Sequence, residues 1–480
     1  MRGEPRSVVP EPSGGVPASA PFTIWFEVED FLHYFDDGAR PVGISRVQIE
    51  LFAELQRLSG SGGVGIKFCR LNRFSHRFEP VDYSQLQQTA RDPPLVYAPW
   101  LWLSASMRTL FALPKRWLSD AMEVVGRFCR AALAKAGGQH RGSGGSVAFR
   151  PGDVLVCTGM SWVNSRYGKL IAAAKREYRI GFVMLFHDII PISHPEFSRI
   201  VPRVRRWTDE MLRNADQLVT QSQYSREELI GHAETIGLGS PDVITMPLGA
   251  TFTGSASQQS ASSRCFSLPR PYVLFVSTIE IRKNHMLLVK VWKRLIARHG
   301  LSAVPALVFV GARGWLVAPL WEELRTTRYL DGKVRIMSGL SDTELELCYR
   351  YCLLTAYPSF VEGWGLPVAE SLEHGKLCVA SNRSSLPEVG GALADYFDPE
   401  DEEGAVAAFE RAIFDHAYRE SREAQIRQAY RAPSWAECAN TLRRAAMEAN
   451  RKRGHMRAGV GSAAAPGDGP PERAVARLAR

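Results

Sequence analysis

Short apolar runs separated by helical patterns recur in two series along this chain, and parallel strands joined by helical crossovers are what such a repeat permits. The first series falls at 22–28, 64–69, 154–158, 180–186, 217–222 and 243–246. The second, more regular, falls at 272–277, 306–311, 334–338, 353–357 and 377–381. These runs are continuously apolar rather than alternating, as expected of strands covered on both faces. Between the series lies TFTGSASQQSASSRCFSLPR (251–270), which has almost nothing to bury and reads as a linker. The expected fold class is therefore α/β, with two Rossmann-like doubly wound domains at 22–250 and 271–448. Local signals agree: Ser341 and Glu344 form a capping box, Pro367 suits a first helical turn, and Gly375 suits a helix end.

Composition decides what lies outside these domains. The chain of 480 residues is 45% hydrophobic and 23% charged, so its body is globular. Its net charge of +9 is concentrated: seven basic residues against Asp468 and Glu472 place +5 within 451–480. That stretch is also rich in Gly, Ala and Pro, and 449–480 reads as a disordered basic tail, with 1–21 a second tail. No aromatic residues interleave with the charges, so nucleic acid is not an expected partner. Eight scattered cysteines show neither a CxxC pair nor zinc spacing and read as small buried apolar residues. No run approaches the length of a membrane span and no leader pattern opens the chain, which implies a cytoplasmic location. The segment 101–145 mixes apolar residues with Arg108, Lys115, Arg116, Arg127, Arg130 and Lys135. It is either a helical insertion with a solvated face or a peripheral contact with an anionic membrane surface.

Two strand-to-loop units carry chemistry. In the first, the run 272–277 leads to Arg282 and Lys283, placed where open α/β sheets bind ligands. Together they suit a diphosphate, Arg by a bidentate fork and Lys as a point charge. In the second, LLTAYPSFVEGWGLPVAE (353–370), Gly363 and Gly365 let backbone amides approach a ligand, and a helix begins at Leu366. Glu362 on the loop and Glu370 in the helix suit pairs of vicinal hydroxyls. A capped helix with two exposed glutamates is the plain alternative.

Residues 271–400 carry IRKN, FVGARGW, SGLSDTEL, PSFVEGWGLPVAES and NRSSLPEV in that order, and this series resembles the donor domain of the family 4 glycosyltransferases. The resemblance implies a GT-B fold, two such domains facing across a cleft, and retaining transfer from a nucleotide-diphosphate sugar. It implies that Arg282 and Lys283 hold the diphosphate, that Glu362 contacts the transferred sugar and that Glu370 binds ribose. Amides of Gly363, Trp364, Gly365 and Leu366 would support sugar and phosphate. The first half matches more loosely, through PVGISR (41–46), RPGDVL (150–155), FHDIIP (186–191) and MPLG (246–249). Together the blocks are most similar to members that build bacterial surface polysaccharides, many of them mannosyltransferases. By that resemblance Gly43 sits near the donor phosphates and His187 faces the reacting sugar, though His187 with Asp188 reads equally well as a structural pair. Trp435 resembles a segment packing back toward the first domain.

The activity so implied is a retaining hexosyl transfer, with GDP-mannose the best fit, to a saccharide or polyprenyl-linked saccharide acceptor. A front-face substitution suits it better than a covalent intermediate, since no carboxylate has a committed partner for a nucleophile's role. Metal dependence is not implied, because no DxD lies between apolar runs and Asp36-Asp37 precedes a Gly in what reads as a turn. Two rivals remain at this level: a membrane-associated scaffold with a relic donor site, and a nucleotide-sugar epimerase of related fold.

Overall fold

Every apolar run of both series becomes a strand. The computed structural model describes residues 22–35, 43–59, 64–72, 75–91, 145–250 and 267–460, with side chains described as far as 453. In the first domain β1 (Thr23–Glu27), β2 (Gly65–Leu71), β3 (Phe78–Val81), β4 (Val154–Cys157), β5 (Gly181–Phe186), β6 (Gln217–Thr220) and β7 (Val243–Thr245) form one sheet, ordered β3-β2-β1-β4-β5-β6-β7. In the second, β8 (Tyr272–Val276), β9 (Ala306–Val310), β10 (Val334–Met337), β11 (Leu354–Tyr357), β12 (Cys378–Ser381) and β13 (Asp395–Phe397) are ordered β10-β9-β8-β11-β12-β13. All pairings are parallel except β2 with β3. Every residue of β4, β5, β6, β9, β11 and β12 is buried, which is why these strands read as continuous apolar runs.

Strand order reverses beside the first strand of each sheet, between β1 and β4 and between β8 and β11. A doubly wound sheet leaves a crevice at that reversal, outside the carboxyl ends of its strands. The fold thus supplies two crevices, and contacts described below bring them face to face.

One helix departs from expectation. The last helix runs Trp435–Val460, so residues 449–460, read above as the start of a disordered tail, are helical. Leu442, Ala445, Ala446 and Ala449 are fully buried, an i, i+3, i+4, i+7 stripe that runs up to the basic residues and carries the helix into them despite their tail-like composition. The basic side chains are occupied as well: Lys452 Nζ donates to Gln217 Oε1 at 2.7 Å and pairs with Asp242 at 3.0 Å, and Arg453 donates to the Ile180 carbonyl. These partners belong to the first domain. At the start of this helix the Trp435 ring lies against Gly249, where a Cβ would come within 2.8 Å of it. The tail 1–21, the pair Asp36-Asp37, the linker up to 266, residues 461–480 and all but the last residue of 101–145 lie outside the described residues. The six described cysteines are buried and free; Cys129 and Cys265 lie outside. Among the described residues no helix is long and apolar enough to cross a membrane.

Candidate active site

The loop after β8 turns through a short 3-10 segment, Ile281–Lys283, and closes on Asn284 in left-handed conformation before the helix His285–His299. That turn aims both cations at the loop after β11. Arg282 Nη1 donates to Glu362 Oε2 at 2.8 Å and to the Val361 carbonyl at 2.6 Å, and Lys283 Nζ donates to Glu362 Oε1 at 2.5 Å. Lys283 Nζ also reaches the Tyr357 hydroxyl at 3.2 Å, and Arg282 pairs with Glu280 at 2.8 Å. Glu362 is only 5% exposed. Burial alone would push its carboxyl up, but Arg282 and Lys283 outweigh it and hold the pKa down at about 2. Lys283 is pushed below its ordinary value, by burial first and by neighbouring Arg282 second. Glu280 is raised, again by burial.

Backbone geometry around Glu362 follows from two serines and two glycines. Ser384 Oγ accepts from the Glu362 amide at 2.8 Å, and buried Ser385 Oγ donates to the carbonyls of Glu362 and Trp364 at 3.0 and 2.7 Å. Gly365 has φ +111° at the start of the helix Leu366–Glu373, and a Cβ there would meet Leu386 at 2.6 Å. At Gly363 a Cβ would meet the His187 carbonyl oxygen at 2.5 Å, so the loop after β11 is pressed against the loop after β5 of the other domain. Trp364 is 8% exposed, and its buried Nε1 has no hydrogen-bond partner among the described residues.

The facing crevice is built differently. His187, at the carboxyl end of β5, is 4% exposed. Its Nε2 lies 2.7 Å from the Thr158 carbonyl oxygen and its Nδ1 meets Gln221 Nε2, so Nε2 carries the proton and Nδ1 accepts. Burial lowers its pKa and keeps the ring neutral. Both nitrogens are therefore engaged by the chain itself, with Thr158 and Gln221 as partners rather than Asp188. Gly43 has φ +53° and precedes the helix Ile44–Leu58, with open space around its Cβ position.

Among the described residues, contacts at four places join the crevices. Ser222 Oγ and Ser225 Oγ donate to the Gly363 carbonyl at 2.7 and 3.1 Å. Glu388 accepts from the amides of Gln223 and Tyr224, both at 2.7 Å, and so occupies the amino end of the helix Gln223–Thr235. Trp315 Nε1 donates to the Phe197 carbonyl at 2.8 Å, and the Phe197 and Phe360 rings stack with centroids 5.7 Å apart. Finally, Arg46 Nη1 donates to Glu370 Oε1 at 2.6 Å while the Tyr349 hydroxyl donates to Glu370 Oε2 at 2.6 Å.

The structure thus brings Arg282, Lys283 and Glu362 into one cluster, sets Glu370 one helix away, and supports the loop 362–366 from behind. Sequence reading missed Glu280, Tyr349, Ser222, Glu388 and the reach of Arg46. Glu388 stood in NRSSLPEV and Arg46 closed PVGISR, so each was visible inside a motif, but its partner is set only by domain packing. Among the described residues no three His, Cys, Asp or Glu side chains are grouped so as to hold a metal.

A cation pair beside a polar loop at a reversal point does not by itself name a reaction, and comparison narrows the field. Residues 263–432 match the family described as glycosyl transferases group 1. The O-antigen chain mannosyltransferase B of Escherichia coli is 30% identical over 268 residues, which are 53% of this chain and 67% of that protein. The serotype-specific mannosyltransferase WbdA of Escherichia coli is 30% identical over 275 residues, 54% of this chain but only 32% of that longer protein. Among solved structures, a sucrose-phosphate synthase from Thermosynechococcus elongatus aligns with TM-score 0.53 and 16% identity over 91% of this chain and 100% of that one. The UDP-forming alpha,alpha-trehalose-phosphate synthase from Burkholderia vietnamiensis aligns with TM-score 0.52 and 13% identity over 89% and 99%. These structures share the two-domain GT-B architecture. With the motif series, the fold and the O-antigen relative in agreement, the chain belongs to the group 1 glycosyltransferases.

Proposed function

We propose that this chain is a retaining hexosyltransferase that moves mannose from GDP-mannose to a saccharide or polyprenyl-linked saccharide in polysaccharide biosynthesis. The observation that carries the reading is the Arg282–Glu362–Lys283 cluster at the carboxyl ends of β8 and β11. Mannose is favoured over other hexoses because relatives 30% identical to this chain are named mannosyltransferases.

In this reading the donor diphosphate lies on Arg282 and Lys283, Glu362 orients the sugar hydroxyls, and Glu370 receives the ribose hydroxyls. The bond from the anomeric carbon to the phosphate oxygen breaks, its electron pair staying on the phosphate. The acceptor oxygen bonds to the same face of that carbon, and its proton passes to the departing phosphate oxygen. Fixed positive charge beside the leaving group is the main contribution of the protein, since it acts where negative charge develops. Contacts such as Ser222 with Gly363 close the cleft and exclude water, which limits hydrolysis of the donor. His187 in this scheme shapes the wall with its carbonyl and ring and leaves proton transfer to the phosphate. No step requires a metal ion. The enzyme would work in the cytoplasm, and the basic segment 101–145 would lie against an anionic membrane that carries a lipid-linked acceptor.

The reading is tested by screening GDP- and UDP-sugars for protection against thermal unfolding, then incubating the protecting donor with polyprenyl-linked saccharides and assigning the anomeric configuration by NMR. Protection by GDP-mannose and a retained configuration are expected. Protection by a UDP-sugar alone removes mannose, and an inverted product removes the front-face route.

A further inference from the structure

Counting charge around the cluster exposes a shortfall. Arg282 and Lys283 are each already committed to Glu362, Arg282 also to Glu280, and Asp188 adds negative charge near Arg282 from the other domain. Two cations therefore face three carboxylates before any ligand enters. A nucleoside diphosphate would bring about two further negative charges, and burying those without more positive charge is costly. Among the described residues, a further cation at the cleft is Arg46. It projects from the first turn of the helix Ile44–Leu58, three residues after Gly43, with its side chain 14% exposed, and spans the gap between domains to Glu370.

Glu370 is the residue that the proposed function gives to ribose, and its two oxygens are taken by Arg46 and Tyr349. Ribose hydroxyls arriving at Glu370 would share its oxygens with Arg46 and Tyr349 and so weaken the hold of Glu370 on Arg46. Resting on that reading, we propose that Arg46 is a third donor-binding cation: it surrenders Glu370 to the ribose and turns its guanidinium onto the diphosphate. The exchange replaces one carboxylate partner of Arg46 by an anion of higher charge and similar fork geometry, so the buried guanidinium stays paired throughout. It also makes donor binding depend on both domains, because Arg282 and Lys283 come from one and Arg46 from the other. A nucleoside without phosphates would compete with Arg46 for Glu370 and receive nothing in return.

That asymmetry supplies the experiment. Binding of GDP and of guanosine, and of UDP and uridine, is measured by calorimetry on the full chain and on Arg46→Gln and Arg46→Lys, with thermal unfolding as a check on folding. Arg46→Gln is expected to weaken the diphosphate about tenfold or more while leaving the nucleoside unchanged or tighter, and Arg46→Lys to recover part of the loss. A parallel fall for nucleoside and diphosphate overturns the inference, since Arg46 would then merely support Glu370; so does unchanged binding of both. If the unaltered chain binds neither diphosphate, the transferase reading itself fails, and the inference with it. If it binds one normally and Arg46→Gln does too, the inference alone fails.

Discussion

At the reversal point of the second sheet, Glu280, Arg282, Lys283 and Glu362 hold one another in a charged lattice; at that of the first, Asp30, Gln48, Thr158, His187 and Gln221 are linked by a chain of hydrogen bonds, with buried Glu27 close to Asp30. Both crevices contain buried carboxyls, and Glu362 shifts in the opposite direction to Glu27 and Asp30. Glu362 is held down at about 2 by its cations. Glu27 accepts from the amides of Glu29 and Leu71 and from the Tyr167 hydroxyl, yet burial, reinforced by Asp30, pushes it up to about 8. Asp30 is pushed by burial to about 6. Among the described residues no cation pairs with either. The buried carboxyl of the second crevice is therefore kept charged by its cations, whereas Glu27 in the first is kept protonated by burial.

The strongest way to break this contrast is to remove the centre of the charged lattice. Glu362→Ala leaves Arg282 and Lys283 buried with one carboxylate fewer; transfer should fall on the order of 10²–10³-fold and stability by roughly 3–5 kcal/mol, read by steady-state kinetics and denaturant unfolding. A Glu362→Ala protein that keeps its activity would mean that the lattice is structural. Stability against pH sharpens the contrast further. The depressed Glu362 contributes stability that is present above pH 4.5 and drains away as pH falls from about 4.5 toward 2. The raised Glu27 contributes in the other sense, fully below pH 4.5 and lost as pH climbs from about 4.5 to 8. Glu27→Gln should therefore gain on the unaltered chain by on the order of 2 kcal/mol between pH 5 and 8, with no gain on the acid side. Parallel unfolding curves for the two proteins across that range would show Glu27 to be charged in the folded state.

The smallest effect belongs to the contact between the crevices. Glu388→Gln keeps the side chain's shape but takes its charge from the amino end of the helix Gln223–Thr235. Donor hydrolysis relative to transfer should rise roughly twofold to fivefold, since a looser cleft admits water. An unchanged ratio would assign closure to the Ser222 and Ser225 contacts with Gly363 instead.

What could be read before the structure follows the range of the interactions involved. Eleven strands were legible because each writes a short, mainly apolar run, and in six of them burial on both faces leaves no exposed position. The two strands missed lie at sheet edges: β3 carries Glu79 and Pro80, which break the run, and β13 has only three residues. Arg282, Lys283 and Glu362 were legible because each sits just beyond a strand in a recurrent motif, and the structure joins them directly. The Arg46–Glu370 pair spans 324 residues and two domains, and no local pattern encodes such a meeting. For His187 the motif was visible, but which of two roles its ring nitrogens take is decided by Thr158 and Gln221. Tail-like composition past 449 concealed a helix because charge and glycine content carry no record of where a basic side chain will dock.

That final helix has a consequence for how the chain is made. Asn450 bonds to the Gly152 carbonyl 298 residues earlier, and Lys452 to Gln217 across 235. Closing contacts of such separation comes late in folding. During synthesis the first sheet thus emerges early but lacks one of its covering helices until residues 435–460 have been made, while the second sheet, whose elements are contiguous, can fold in the meantime. The part made first is completed last. A nascent chain stopped before 435 would expose the apolar stripe's docking site on β4, β5 and β6, a surface on which a chaperone would be expected to dwell.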